Sequence, residues 1–329
     1  MTLLLSRSDL ETVLDPDACL DALRRGFAAS ADAAGLPAAG SPAAAPQPQR
    51  VRTDLPGPGT ATVLLPGLLP GVPAYTVKAN AKFPAARPAL RGVVCLHDLG
   101  SGELLAVLDS ATVTAWRTGL AAALGTHLLA RPDATDVGVV GAGAQAGLVV
   151  RGLARLRTLG RLVVQDLDDD RARRFLTEFA PLARSGGAVA ATPADVAAQC
   201  DLVLLATWSR APLLSRSDVR PGQHLTSLGA DEPGKVELAA DLLRAARVVV
   251  DDVGFASAAG ALGNVGLGPE AAAAPMAAVV RGDVAGRGGP DQVTVYAPVG
   301  LPWQDLALSW LAYTASVDTG TGATYDWLA

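Results

Sequence analysis

A short strand that runs directly into a glycine-rich loop and a helix is the feature that most constrains the fold of this chain. The strand at 137–140 is followed by Gly141-Ala-Gly143-Ala-Gln-Ala146, the pattern G-x-G-x-x-A, and then by a helical stretch to Leu156. Gly141 makes the tight turn, Gly143 lets backbone N–H groups approach a pyrophosphate, and the small Ala146 permits close helix–strand packing. The pattern predicts a dinucleotide-binding unit, and a ligand-free glycine-rich turn is the alternative.

Short β-branched runs alternate with helical stretches around this loop. The runs occupy residues 136–140, 162–165, 188–191, 201–207, 224–228, 247–252 and 293–297. This alternation is typical of a parallel sheet with helices on both faces. We therefore expect a Rossmann-type doubly wound sheet in this part of the chain.

An acidic residue ends the second of these runs. Asp166 lies 25 residues after Gly141, where a Rossmann unit places the acid that accepts hydrogen bonds from the adenosine ribose. A carboxylate there repels a 2′-phosphate, so the expected cofactor is NAD(H) rather than NADP(H). The alternative is that Asp166 only opens a turn with the aspartates at 168–170.

The N-terminal part of the chain follows a different pattern. Runs at 62–65, 74–78, 92–97 and 104–108 are punctuated by proline and glycine and predict the strands of an antiparallel meander. The nearly uncharged stretch 111–130 predicts a buried helix, and 303–313 predicts a helix that returns to the first region. The predicted fold class is α/β, with a Rossmann-type domain at 131–299 and an α+β domain at 1–130 that is completed by 300–329.

Composition excludes several classes of protein. Half of the 329 residues are hydrophobic, which excludes a disordered chain, and a net charge of −5 without a basic stripe argues against a nucleic-acid partner. Cys19, Cys95 and Cys200 are too widely separated for a disulfide framework or a CxxC site, and no metal site is predicted. No apolar run is long enough to span a bilayer, so we expect a cytoplasmic protein without a membrane partner.

Lysine is rare in this chain. Lys78, Lys82 and Lys235 are the only lysines among 27 basic residues. Lys78 ends a predicted strand, and a lysine in a cleft can polarise a carbonyl or an imine and deliver a proton. The alternative is a surface lysine on an edge strand.

Arg117 stands in the middle of the apolar helix at 111–130. An unpaired guanidinium is costly to bury, and its planar fork suits a carboxylate or phosphate ligand; an internal aspartate is the alternative partner. Farther along, Asp231 and Lys235 lie in a polar loop after a predicted strand. Ligands of doubly wound sheets bind outside the carboxyl ends of strands, which makes both residues candidates for chemistry, although the loop is also an ordinary turn.

Several motifs occur together in order along the chain. They are Gln-Pro-Gln-Arg50, Tyr-Thr-Val-Lys78, Ala-Val-Leu-Asp109, Val-Thr-Ala-Trp-Arg117-Thr118, the loop at Gly141, Gly229-Ala-Asp231-Glu-Pro-Gly-Lys235-Val-Glu-Leu, Val299-Gly300 and Gln304-Asp305. As a set they resemble the ornithine cyclodeaminase/mu-crystallin family over nearly the whole chain. The resemblance implies a Rossmann domain plus a substrate-binding and dimerisation domain, a homodimer, and NAD(P)(H)-dependent chemistry at the α-carbon of an amino or imino acid.

The resemblance also implies a set of site residues. Arg117 and Arg50 would bind the substrate α-carboxylate, although the chain can also be aligned with Arg52 in place of Arg50. Lys78 would contact the substrate, polarise the imine or carbonyl and handle a proton, and Asp231 would be the acid or base near the α-nitrogen. The dinucleotide would be lined by Thr118, Gly141, Gly143, Ala144, Gln145, Asp166, Thr207, Thr226, Ser227, Leu228, Gly229, Lys235 and Val299.

Two departures from the family pattern bear on the substrate. Val63 stands where ornithine cyclodeaminases carry a glutamate that holds the distal amine, so a distal ammonium would face an apolar wall. Ala297-Pro298 replaces a pair that ends in serine, which removes a hydroxyl expected near the nicotinamide. Both departures favour a smaller or more apolar substrate than ornithine.

These observations predict an NAD(H)-dependent enzyme that interconverts a small or apolar α-amino acid with its imine or keto acid, as an amino acid dehydrogenase or ketimine reductase does. One alternative is an ornithine cyclodeaminase-type lyase, which converts an amino acid to a cyclic imino acid and ammonia. Another is a non-catalytic, dinucleotide-dependent binder of small molecules.

Overall fold

The computed structural model describes residues 1–30, 51–86 and 88–327. The chain forms two compact units: unit 1 is Met1–Arg117 with Leu301–Ala329, and unit 2 is Thr118–Gly300. The division falls inside a helix rather than at residue 130, the predicted boundary. The assignment of one domain to the substrate and the other to the cofactor stays a prediction.

The elements follow one another along the chain. The strands are β1 (Thr2–Leu5), β2 (Val51–Asp54), β3 (Ala61–Gly67), β4 (Ala74–Lys82), β5 (Leu90–Asp98), β6 (Leu104–Asp109), β7 (Val137–Val140), β8 (Leu162–Gln165), β9 (Gly187–Val189), β10 (Leu202–Leu205), β11 (Arg210–Leu214), β12 (His224–Ser227), β13 (Val236–Leu238), β14 (Arg247–Val250), β15 (Ala272–Pro275), β16 (Thr294–Tyr296) and β17 (Ala323–Tyr325). The helices are α1 (Arg7–Val13), α2 (Pro16–Ala29), α3 (Ser110–Leu129), α4 (Ala144–Leu156), α5 (Asp169–Phe179), α6 (Pro193–Gln199), α7 (Ala240–Ala245), α8 (Val253–Ala259), α9 (Met276–Arg281) and α10 (Pro302–Thr319). Short 3₁₀ helices lie at Ala180–Leu182, Arg216–Asp218, Gly263–Val265 and Pro269–Ala271.

Unit 1 is built on a seven-stranded sheet in the order β17-β1-β6-β5-β4-β3-β2. Its strands β2 to β6 are consecutive antiparallel neighbours. The strands β3 to β6 are the predicted meander, and β2 adds an edge strand that was not predicted. The sheet is extended by β1, parallel to β6, and by β17, antiparallel to β1.

The returning helix α10 packs on α2 and on the strands β3, β4 and β5. Its residue Trp303 makes an edge contact with Phe27 of α2, with ring centroids 5.0 Å apart. Gly26 lies under the same indole, and a Cβ at this position would overlap the ring. The C-terminal helix α10 therefore returns to the first sheet and covers one of its faces.

Unit 2 is built on an eight-stranded sheet in the order β15-β14-β16-β12-β10-β7-β8-β9, in which every neighbouring pair is parallel. Alternate side chains of its strands pack into two separate cores. Val139 and Leu204 pack with residues of α3, α4 and α5, whereas Val203 and Val250 pack with residues of α6, α7 and α8. Helices therefore cover both faces, and the predicted doubly wound sheet is confirmed.

The longest helices, α3 and α10, are packed against sheets within this fold. No helix among the described residues combines the length and the apolar character needed to cross a membrane.

Candidate active site

A cluster of three charged side chains lies in unit 1; Lys78 and Asp305 are buried, and Arg117 is half-buried. Lys78 Nζ in β4 is 2.5 Å from Asp305 Oδ2 in α10, and both side chains are 2% exposed. Arg117 in α3 faces the same carboxylate, with Nε 3.4 Å from Asp305 Oδ1. We call Lys78, Arg117 and Asp305 the charge cluster. A surface position on an edge strand, the alternative for Lys78, is excluded.

The sheet register explains the burial of Lys78. The residue is paired with Leu65 of β3 on one side and with Val94 of β5 on the other, so it lies in the interior of the sheet. Successive side chains of a strand point to opposite faces. Lys78 therefore shares the covered face with the buried Asn80, whereas Val77 on the opposite face is exposed.

Asp305 and Gln304 lie in the first turn of α10, which begins at Pro302. Arg117 donates from Nη1 to Gln304 Oε1 at 3.4 Å. Within the described residues, the buried atoms Arg117 Nε, Asp305 Oδ1 and Gln304 Nε2 have no hydrogen-bond partner, so the approach of Arg117 to Asp305 is an ion pair only. Two cations and one carboxylate give the cluster a net positive charge, which suits a small carboxylate ligand.

Of the two arginines considered for the second carboxylate contact, Arg50 lies outside the described residues. Arg52 lies in β2 and is paired with Val63 of β3. The partner of Val63 in β4 is two residues from Lys78, so Arg52 and Val63 share the face that carries Lys78. Arg52 also forms an ion pair with Asp54 at 3.0 Å. The choice of Arg50 over Arg52 stays a prediction.

The glycine loop lies at the carboxyl end of β7 in unit 2. Gly141 has a φ of +91°, in the left-handed region that favours glycine, and a Cβ there would lie 2.6 Å from the carbonyl oxygen of Ala206. Gly143 is the N-cap of α4, has no side-chain cap and borders open space. The first turn of α4, which begins with Ala144 and Gln145, can therefore present its N–H groups to a pyrophosphate.

Asp166 directly follows β8 and is hydrogen-bonded to the glycine loop. Its Oδ2 accepts from the backbone N of Ala142 at 2.8 Å, and its Oδ1 accepts from the backbone N of Asp168 at 2.9 Å. Arg171 Nη1 approaches the same Oδ1 at 3.3 Å. The carboxylate stands at the ends of the neighbouring strands β7 and β8, as a Rossmann unit requires, and it also forms the turn that was the alternative.

A buried glutamate that sequence reasoning did not single out ties together two strand ends in unit 2. Glu237 Oε1 accepts from Thr207 N at 2.7 Å and from Thr207 Oγ1 at 2.8 Å. Its Oε2 accepts from Ser227 Oγ at 2.7 Å and from Gly229 N at 2.8 Å. Burial raises the pKa of Glu237, and the four hydrogen bonds oppose this rise. We call these four residues the Glu237 cluster.

The signal for Glu237 was its position between two apolar residues of a short strand, β13. Its partners Thr207, Ser227 and Gly229 follow or end β10 and β12, and all three are predicted cofactor residues. The cluster therefore fixes the carboxyl ends of two adjacent strands at the edge where a Rossmann unit binds its ligand.

Two other predicted cofactor residues of this segment have side chains in the interior of unit 2. Thr226 Oγ1 lies 2.7 Å from Thr126 Oγ1 and 2.9 Å from His224 Nε2. Leu228 packs in the core formed with α4 and α5. At both positions, a contact with the cofactor would be made by the backbone.

Asp231 and Lys235 form an ion pair, with Lys235 Nζ 2.8 Å from Asp231 Oδ1. Glu232 lies 3.6 Å from the same ammonium, and the ring of Trp208 lies 5.6 Å from it. Burial alone lowers the pKa of Lys235, but the carboxylates of Asp231 and Glu232 outweigh it and leave the pKa raised. Lys235 therefore stays an ammonium beside the more exposed Asp231.

Val299 is held by a second buried carboxylate, Asp251, which follows β14. Asp251 Oδ1 accepts from Val299 N at 2.9 Å, and Oδ2 accepts from Gly300 N at 2.5 Å. Burial raises the pKa of Asp251, against these hydrogen bonds. Thr118, the remaining predicted cofactor residue, is half-buried in α3 directly after Arg117.

The glycine loop at the edge of a doubly wound sheet, with an acid at the end of the next strand, defines this protein as a Rossmann-type α/β protein. The chain belongs to the ornithine cyclodeaminase/mu-crystallin family, whose family model matches residues 4–320, and the predicted family is thus confirmed.

Relatives of known activity are similar to most of the chain. An alanine dehydrogenase of Archaeoglobus fulgidus is 30% identical over 241 residues, which are 72% of this chain and 74% of that protein. A Δ1-pyrroline-2-carboxylate reductase of Paracoccus denitrificans is 31% identical over 291 residues, 84% of this chain and 89% of that protein. A solved structure of an archaeal alanine dehydrogenase dimer with bound NAD matches with a TM-score of 0.87 at 25% identity and covers 99% of both chains.

Proposed function

We propose that this protein is an NAD(H)-dependent oxidoreductase that interconverts a small or apolar α-amino acid with its imine or keto acid. The observation that carries the proposal is the charge cluster, whose excess positive charge suits the α-carboxylate of such a substrate. The similarity to an alanine dehydrogenase and to a pyrroline-2-carboxylate reductase supports the same class of reaction.

The residues of unit 2 fit a dinucleotide. Gly143 borders open space at the uncapped N-terminus of α4, which suits a pyrophosphate. Asp166 suits the adenosine ribose and repels a 2′-phosphate, which favours NAD over NADP. Thr207, Gly229 and Val299 are held at the same edge of the sheet by Glu237 and Asp251. When bound, NAD⁺ supplies a hydride acceptor at nicotinamide C4.

The residues of this chain would bind, orient and manage protons. Arg117, with Arg50, holds the α-carboxylate and so fixes the α-carbon for transfer. In the oxidative direction the substrate loses a hydride from the α-carbon and a proton from the nitrogen, and Asp231 accepts that proton. Lys78 donates a hydrogen bond to the imine or carbonyl and handles a proton as water adds and ammonia leaves.

The preference for a small or apolar side chain rests on Val63. The sheet register puts Val63 on the face that carries Lys78, which supports a position of this valine, rather than of a carboxylate, beside the proposed substrate. A distal ammonium would lose its hydration there without gaining a partner. This disfavours the cyclodeaminase reaction, which needs a distal amine for ring closure.

The test is a panel of α-amino acids incubated with NAD⁺, followed by absorbance in the NADH band and by ammonia release. A rise in NADH with alanine or another small amino acid is expected. Ammonia without net NADH would instead identify a cyclodeaminase. Tight NADH binding with neither product would identify a non-catalytic binder. Lys78→Met, matched in length, controls for NADH that does not arise at this site.

We also propose that the protein is a homodimer. Val51, Leu64, Val77 and Val93 lie on the sheet face opposite Lys78, and each is 38–50% exposed in the described part of the chain. Contiguous exposed apolar residues of neighbouring strands are typical of an interface. The archaeal alanine dehydrogenase of similar fold is a dimer.

Light scattering coupled to gel filtration tests the dimer. The wild type is expected at twice the chain mass of 33.3 kDa. Val77→Lys should shift it toward the monomer because an ammonium would be buried without a partner, whereas Val317→Lys, at an exposed valine of α10, should not. A dimer unaffected by Val77→Lys would contradict this interface.

A further inference from the structure

We propose that Asp305 is a positioning residue, whose carboxylate holds the Lys78 ammonium with one oxygen and faces the Arg117 guanidinium with the other. The inference rests on the proposed function, because it assigns Asp305 a role through Lys78 and Arg117. Asp305 does not itself need to touch the substrate.

The contacts of Asp305 set it apart from the surface ion pairs of the chain. Its Oδ2 lies 2.5 Å from Lys78 Nζ, and these two residues are 227 positions apart in sequence. Its Oδ1 lies 3.4 Å from Arg117 Nε. The carboxylate of Asp305 in α10 therefore contacts a cation on strand β4 and a cation on helix α3. Only the fold brings these three residues together, because they are far apart in sequence.

The charges of Lys78, Arg117 and Asp305 indicate what the Asp305 carboxylate does. Without Asp305, Lys78 and Arg117 would lose the carboxylate that both of them face, and the loss of an opposite charge disfavours the charged form of a lysine. With Asp305 in place, two basic side chains face one carboxylate, and the remaining positive charge suits a substrate carboxylate. The register places further charged side chains on the same face of the sheet, at Arg52, Asp54, Lys82 and Asp98.

Gln304 adds a second constraint on Arg117. Its Oε1 accepts from Arg117 Nη1 and from the backbone N of Leu301, so the guanidinium is tied to the start of α10. Its buried Nε2 has no hydrogen-bond partner among the described residues. The turn that carries Asp305 therefore also carries an amide donor that can meet the same anionic ligand.

The scarcity of lysine permits a direct measurement on Lys78. Protein labelled with ¹³C at lysine Cε contains three labelled side chains, and Lys82→Arg and Lys235→Arg assign the signals. The Cε shift is followed against pH in the wild type and in Asp305→Asn. In Asp305→Asn we expect the titration midpoint of Lys78 to fall by about one to three pH units, because the lysine loses its opposite charge. An unchanged midpoint would overturn the proposal.

Kinetics give a second, independent readout. With the amino acid identified by the substrate panel, we expect kcat/KM of Asp305→Asn to fall by about 100-fold through misplacement of Lys78 and Arg117. The alkaline limit of activity should move to lower pH, and the NADH dissociation constant should stay the same. Asp318→Asn, the same substitution at an exposed position of α10, is the control and should keep the wild-type profile.

These outcomes separate the inference from the proposed function. A wild type that turns over no amino acid contradicts the proposed function, while the lysine titration still decides whether Asp305 holds Lys78. An Asp305→Asn protein with lower thermal stability but wild-type kcat and pH profile would show a structural role only and would overturn the inference. If Asp305→Asn does not fold, Asp305→Glu should keep the charge and the Lys78 titration but lower kcat, and a wild-type kcat in that variant would overturn it.

Discussion

Asp305 in unit 1 and Glu237 in unit 2 are both carboxylates with 1% of their surface exposed, yet they have different kinds of partner. Asp305 faces the cations of Lys78 and Arg117 at 2.5 and 3.4 Å. Glu237 accepts four hydrogen bonds from backbone N–H and hydroxyl groups of Thr207, Ser227 and Gly229. Burial removes the hydration of both carboxylates. Cations replace it at Asp305, and hydrogen bonds from neutral groups replace it at Glu237.

The difference indicates what each cluster does. The donors around Glu237 are used within the protein, so that cluster fixes loops. The charge cluster holds more positive than negative charge, because the two cations of Lys78 and Arg117 face the one carboxylate of Asp305, and a guanidinium suits a carboxylate ligand. We infer that the charge cluster contributes reactive side chains, whereas the Glu237 cluster contributes a rigid edge for the cofactor.

The largest effect should come from Lys78→Ala. Loss of a group that handles a proton lowers kcat by about 10²–10⁴-fold. The NADH dissociation constant, measured by fluorescence, should change little, because the glycine loop belongs to unit 2. The fold should persist because Arg117 still neutralises Asp305.

Lys82→Arg is the matched control for Lys78→Ala. Lys82 lies on the same strand and has no predicted role, so it should be the lysine most tolerant of arginine. A Lys78→Ala enzyme with normal turnover would contradict the inference that the charge cluster is reactive whereas the Glu237 cluster only fixes loops.

Glu237→Gln should act mainly on stability and cofactor binding. The amide nitrogen would face groups that now donate to a carboxylate oxygen; a hydroxyl can turn to accept, but the backbone N–H of Thr207 or Gly229 cannot. We expect the free energy of unfolding to fall by about 2–4 kcal/mol and the NADH dissociation constant to rise.

Denaturant titration and NADH fluorescence measure the two effects of Glu237→Gln. Glu178→Gln, at an exposed glutamate of α5, controls for the substitution. Unchanged NADH affinity in Glu237→Gln would mean that the cluster fixes loops that the cofactor does not use.

Stability at acid pH extends the comparison to His224, another buried titratable group. Its ring nitrogens lie 2.9 Å from the hydroxyls of Thr226 and Thr294. Burial first, then the positive charges of Arg287 and Arg157, lower the pKa of His224 to about 3. Between its ordinary value of 6.5 and this value, the unfolded chain binds a proton that the folded chain does not.

The His224 contribution to stability should therefore be fully present above pH 6.5 and lost as the pH falls toward 3. The loss is about 1.4 kcal/mol per pH unit at most. His224→Gln, compared with His97→Gln, should be less stable at neutral pH but lose stability less steeply below it, as measured by urea titrations at several pH values. Equal slopes in the two variants would exclude His224 as a source of acid sensitivity.

The strands that carry hydrophobic alternation could be predicted from the sequence, whereas the edges of the first sheet could not. The prediction at 74–78 became β4, Ala74–Lys82, and that at 92–97 became β5, Leu90–Asp98. β2 and β17 were missed because their residues are exposed and their strand conformation comes from pairing with a neighbour. Ser8 and Glu11 have the spacing of a capping box in the sequence, but in α1 the capping box is formed by Ser6 and Asp9, and the helix begins at Arg7.

The sequence predicted individual residues of the candidate site but not the residues that they contact. A buried Arg117 required either a ligand or an internal aspartate, and the rarity of lysine drew attention to Lys78. Asp305 supplies the aspartate, but the sequence could not identify it because its pairing with Lys78 spans 227 positions and depends on how α10 returns to the sheet. Glu237 was not predicted for a similar reason, because its partners Thr207 and Ser227 follow or end other strands, β10 and β12.

The smallest effect, and the most specific for the substrate, should come from Val63→Glu. The carboxylate would lie on the face that carries Lys78 and would offer a distal ammonium the partner that valine denies it. We expect the ratio of kcat/KM for ornithine over alanine to rise by about tenfold, equivalent to about 1.4 kcal/mol. Val63→Gln has a similar shape without the charge and should not raise the ratio. If neither variant changes the relative kcat/KM values of the amino acids tested, Val63 does not border the substrate. The net positive charge of the charge cluster would then select for the α-carboxylate alone.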